Sequence, residues 1–113
     1  MQLVTLSELS SYPGPYPGMK HHVVANRENG YQNFEIIYSK LPRGAESGMH
    51  NHPHSEKLQL VLTGELEIWN EDRSVVYKVP AGSGVLFPPA EYHQCRNTYD
   101  GETTYLVVYS PGR

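Results

Sequence analysis

Apolar residues in this chain fall on alternate positions or in short runs, without the three-to-four spacing of a long amphipathic helix. From Tyr31 onward six segments carry this signature: Phe34 to Leu41, Leu58 to Leu62, Glu65 to Trp69, Val75 to Val79, Val85 to Phe87 and Tyr105 to Tyr109. They are rich in β-branched and aromatic residues, which favour the pleated, half-buried surface of a strand. Turn chemistry separates them at Pro42-Arg43-Gly44, Thr63-Gly64, Asn70-Glu71-Asp72-Arg73, Pro80-Ala81-Gly82 and Tyr99-Asp100-Gly101. Six or more closely spaced strands with no helical pattern between them predict an antiparallel sandwich or small barrel. Ahead of them, Thr5-Leu6-Ser7-Glu8 has the form of a capping box and predicts a short helical turn. The segment Ser11 to Gly18 is broken by Pro13, Pro15 and Pro17, which removes backbone donors and predicts a surface lead-in that packs Tyr12 and Tyr16 on the body. The chain thus reads as one all-β domain over residues 1–113, with a lead-in over 1–30 and a barrel over 31–110.

Charge and cysteine usage narrow the partners. Twelve acidic and nine basic residues give a formal net charge of -3 with no basic block. The electrostatic footprint expected for nucleic acid or an anionic membrane is missing. The single Cys95 cannot form an internal disulfide, MQLVTLSELS lacks the basic and apolar regions of a secretory leader, and no apolar run reaches membrane-spanning length. A cytoplasmic protein is the expectation.

The compositional oddity is six His in 113 residues, three of them at 50, 52 and 54. Side chains two apart on a strand share a face, so His50 and His52 can converge on one point. Neutral imidazole is a common ligand for transition metals, and two such ligands plus a third from elsewhere make a site with open positions. His93 is the only histidine in the C-terminal half and the natural third ligand. His54 follows a strand-breaking Pro53 and is expected to face solvent. His21 and His22 are adjacent, so a strand would send them to opposite faces; both read as surface or interface residues. Cys95 reads as a small buried hydrophobe on the face of His93, and Arg43 and Arg96 as solvated.

Two separated segments resemble the paired motifs of the cupins, small double-stranded β-helix barrels. Gly44, His50, His52, Glu56 and Gly64 fit the first motif, and Gly82, Pro88, His93 and Asn97 fit the second, with Ala90 where Gly is usual. The resemblance spans residues 44 to 97 and implies a single-domain jelly-roll barrel. It also implies one divalent metal ion per chain, iron, nickel, manganese or zinc, held by His50, His52, His93 and Glu56. One departure stands out. The family's acidic ligand often lies seven residues before the hairpin glycine, and here that position is Lys57. Glu56 and Lys57 face opposite sides of a regular strand, so either the carboxylate or the ammonium points inward. The alternation of Leu58, Leu60 and Leu62 against Gln59 and Val61 leaves both orientations open.

The function implied is that of a metal-dependent enzyme on a small polar molecule inside the barrel. Oxygen-dependent cleavage of the dioxygenase type is the first expectation, because a three-histidine set without a carboxylate is similar to that of some cupin dioxygenases. A metal-assisted isomerase, lyase or decarboxylase is the second, with Lys57 or Glu56 moving a proton. A small-ligand-binding protein without turnover is the third. Gln59, Tyr92, Tyr38 and Tyr105 are candidates to line the mouth and hold substrate. A homodimer is expected, because so small a barrel buries only a modest core.

Overall fold

The computed structural model describes residues 1–113 as two facing antiparallel sheets. The strands are β1 (Tyr12–Pro13), β2 (Lys20–Ala25), β3 (Glu35–Leu41), β4 (Glu56–Thr63), β5 (Glu65–Asn70), β6 (Val76–Pro80), β7 (Gly84–Phe87), β8 (His93–Arg96) and β9 (Thr103–Ser110). One sheet has the order β1-β2-β3-β9-β4-β7 and the other β6-β5-β8. No helix is long and apolar enough to cross a membrane.

All six predicted strands form, within a few residues of their expected ends. Two further strands lack an apolar signature. β8, His-Gln-Cys-Arg, has no β-branched residue, and β2 opens on Lys20-His21-His22. β2 also corrects the boundary at residue 30: it pairs with β3 from Lys20 to Ala25, so the sheet begins inside the expected lead-in. Pro13 lies at the sheet edge on β1, where its missing donor is harmless. The N-terminal turn Leu6–Glu8 is present, but Thr5 makes no side-chain cap bond. A capping box forms instead at Arg27–Asn29, where Asn26 accepts from the Glu28 N–H and Asn29 Oδ1 accepts from the Asn26 N–H.

β4 and β5 are joined tightly through Gly64, which has φ +84° and lies against Thr103 where a Cβ would collide. At this end of the barrel Leu41, Val61 and Leu66 are fully buried between the sheets. Asn97 is buried beside them and uses every polar valence of its amide. Nδ2 donates to the Leu41 and Gly101 carbonyls at 2.9 and 2.8 Å, while Oδ1 accepts from the Tyr99 N–H and the Thr103 hydroxyl, both at 2.9 Å. The other end of the barrel is open.

Candidate metal centre

The segment leading into β4 runs antiparallel to β8 and places the first two histidines. Ser47 N–H bonds to the Cys95 carbonyl at 2.9 Å, and His50 and His93 exchange both backbone bonds, at 3.0 and 2.9 Å. This pairing brings the His50 and His93 rings to a centroid separation of 4.4 Å, with His52 5.0 Å from His50. One ligand atom from each of the three residues lies within 4.8 Å of the others.

The outer nitrogens of two rings are tied to carbonyls. His50 Nδ1 lies 2.7 Å from the Gly48 oxygen and His93 Nδ1 2.9 Å from the Glu91 oxygen. A carbonyl only accepts, so each Nδ1 carries the hydrogen and each Nε2 keeps its lone pair. His52 Nε2 is buried with no hydrogen-bond partner at all. Oriented rings, a His93 Nε2 met only by the exchangeable Lys57 ammonium and an orphaned buried His52 nitrogen fit a transition-metal ion. Burial holds all three imidazoles below their ordinary range, and the Lys57 ammonium adds to this. His52 and His93 are pulled down to about 3.

Of the two orientations open to β4, the inward residue is Lys57. Lys57, Gln59 and Val61 are buried, while Glu56 is exposed. The Lys57 ammonium donates to His93 Nε2 at 2.9 Å and lies 5.0 Å from the Phe87 ring centroid. Burial pulls its pKa down to about 8. The expected Glu56 carboxylate is therefore not brought to the three histidines, because strand alternation turns it to the outer side opposite Ser110.

A cavity of about 290 Å³ opens beside the cluster. Gln59 and Tyr105 line it, and so does the buried Cys95. Tyr38 and Tyr92 do not. Tyr38 alternates with the inward Ile37 and Ser39 and packs on His22 outside the barrel, and Tyr92 is exposed. His21 and His22 take opposite faces of β2, but neither is an ordinary surface residue: His21 lines the cavity and His22 is buried near the Leu9 carbonyl. His54, Arg43 and Arg96 are exposed. The cavity also has walls missing from the expected set, Tyr16, Ser39, Tyr109 and Arg113. Tyr109 shares the face of Tyr105 by period-two counting and was legible. Arg113 was not, because it reaches the cavity only through the course of the chain after β9.

Residues 37–109 match the family model described as Cupin domain. No curated protein matches the chain. Among solved structures, the polyketide cyclase RemF from Streptomyces resistomycificus superposes with a TM-score of 0.86 at 18% identity, covering 97% of this chain and 79% of that one. KdgF from Halomonas sp. gives 0.85 at 19%, covering 99% and 96%. A predicted oxalate decarboxylase from Thermotoga maritima gives 0.85 at 20%, covering 97% and 99%. At these identities the likeness is one of fold.

Proposed function

Given that the chain belongs to the cupin family, by the match over residues 37–109, we propose that it is a metal-dependent enzyme that moves a proton on a small molecule in the barrel cavity, in the manner of an isomerase, lyase or decarboxylase. The observation that carries this reading is the buried Lys57 ammonium, 2.9 Å from His93 Nε2 among the three histidines. His50, His52 and His93 would hold one divalent ion, iron, nickel, manganese or zinc. Such an ion, when bound, polarises a carbonyl or carboxylate oxygen as a Lewis acid. Lys57 then does the chain's own chemistry. Its depressed pKa brings the ammonium and the amine into reach of each other near neutral pH, so Nζ gives a proton to the substrate or takes one from it. Phe87 and Tyr109 flank the ammonium and keep bulk water from it. Glu56, exposed on the outer face, has no part in this reading.

A dioxygenase is the second reading, favoured by a ligand set of three histidines with no carboxylate. Oxygen uptake separates the two: consumption in step with turnover selects the dioxygenase. The first test is metal content by mass spectrometry on untagged protein purified without added metal, comparing the parent with the His52→Ala, His93→Ala variant. About one equivalent in the parent and none in the variant is expected. No stoichiometric metal in the parent even after reconstitution overturns both readings and leaves a ligand-binding protein without turnover.

The outer face of the six-stranded sheet supports the homodimer. Leu58 lies between Val108 and the 79% exposed Leu86, and Leu60 lies beside Leu106, which makes a continuous apolar surface. Sedimentation at twice 12.8 kDa is expected, with a shift to monomer in the Leu58→Glu, Leu106→Glu variant.

A further inference from the structure

The cavity beside the histidines differs in charge from the rest of the molecule. The chain carries twelve acidic residues and a formal charge of -3, yet no Asp or Glu lines this cavity, while Lys57 and Arg113 both do. The two cations border the same ring: Lys57 Nζ lies 5.8 Å and the Arg113 guanidinium carbon 4.1 Å from the Tyr109 centroid. Both also line the one cavity, which puts them within reach of one small molecule. Two like charges that share a partly desolvated cavity repel, and an anion between them converts that repulsion into attraction.

Arg113 is held in advance of any ligand. Its backbone N–H and Nε both donate to Glu35 Oε1, at 3.2 and 3.1 Å, and its guanidinium stacks on Tyr109. Glu35 engages one edge of the fork and leaves the terminal nitrogens for a planar acceptor. Inside the cavity Ser39 is 1% exposed, and its hydroxyl has no hydrogen-bond partner. Gln59, also buried, adds an amide to the same wall. Both can donate to a group that only accepts.

We propose that the cavity takes a small organic acid, whose carboxylate is bound between Lys57 and Arg113 with Ser39 and Gln59 as neutral partners. This rests on the reading of the cavity as the substrate site, while the recognition itself is made by the chain's own side chains. The volume of about 290 Å³ is enough to hold a small organic acid.

The test uses malonate and malate as probes, malonamide as the neutral counterpart of malonate, and inorganic phosphate at matched ionic strength. Binding is read by calorimetry and thermal shift on untagged protein, as purified and after chelator treatment, with metal content measured on each sample. At least one of the two carboxylates is expected to bind saturably and malonamide not to bind. Arg113→Gln should weaken carboxylate binding at least tenfold without changing metal content, Arg113→Lys should recover part of it, and Arg43→Gln, outside the cavity, should leave it unchanged. Equal binding of malonate and malonamide, binding unaffected by Arg113→Gln, no binding of either carboxylate, or phosphate binding as tightly as the carboxylates overturns the proposal. Carboxylate binding by protein that takes up no metal even after reconstitution sustains the proposal while the metal reading fails, so the two failures are distinct.

Discussion

Asn97 and the Nε2 atom of His52 are both buried polar groups, at opposite ends of one barrel, and the fold treats them in opposite ways. Around Asn97 every donor and acceptor of the amide is matched, to Leu41, Gly101, Tyr99 and Thr103. Around His52 the nitrogen is left without a partner, and the nearby Nε2 of His93 meets only a lysine. A saturated buried group stabilises the chain and has no capacity left for a ligand. An unsaturated one costs stability and keeps that capacity. Both ends share β4, whose inward face changes from Val61 to Lys57 over five residues, 57 to 61.

The contrast is sharpest in a pair of variants. Asn97→Ala strands two carbonyls, an N–H and a hydroxyl, and should cost roughly 3 kcal/mol or more in a urea titration. The His52→Ala variant, compared metal-free, should stay within about 1 kcal/mol of the parent, because the ring nitrogen it removes is one the fold leaves unpaired. Equal costs for the two would erase the distinction. Next in size, Val61→Ala, at 0% exposure in the packed end, should lose about 2 kcal/mol by the same titration.

A further effect is expected from pH, because burial holds the imidazoles below their ordinary range. The folded imidazoles of His52 and His93 titrate near 3, whereas in the unfolded chain they take protons below about 6.5. The unfolded state therefore binds more protons across that window, and metal-free protein should lose stability as pH falls from about 6.5 toward 3. The melting temperature of chelator-treated protein measures this, and the double histidine variant should show a shallower slope. Lys57 has a separate window: with its folded pKa near 8 against an ordinary 10.5, stability should rise as pH climbs between those values, and Lys57→Met should remove that rise. Smallest of all, Arg43→Ala breaks a 2.7 Å ion pair with Asp100 whose side chains are 73% and 85% exposed, and should move the urea midpoint by less than about 0.5 kcal/mol. A larger loss would mean that surface charge, not polar saturation, sets stability at the packed end.

The six strands with apolar alternation were legible from the amino-acid order, as was the convergence of His50, His52 and His93 at motif spacing. Local pattern carries such information because period-two alternation and turn residues are properties of neighbours along the chain. β2 and β8 escaped because their polar residues form strands only when β3 and β5 supply the pairing. The capping box at Thr5 was a local pattern that its surroundings did not use.

The choice between Glu56 and Lys57 belonged to the tertiary structure alone. Alternation fixes which residues of a strand share a face, but not which face turns inward. On β4 the solvent-side face carries Leu58, Leu60 and Leu62 and the cavity face carries Lys57, Gln59 and Val61, so the local pattern left both orientations open. Pairing with β7 and β9 decided it, by turning Lys57 toward Phe87 and Tyr109. Arg113 is the same lesson at longer range: nothing beside it in the chain marks it as a cavity residue, and only the return of the segment past Ser110 to Glu35 brings its charge to Tyr109.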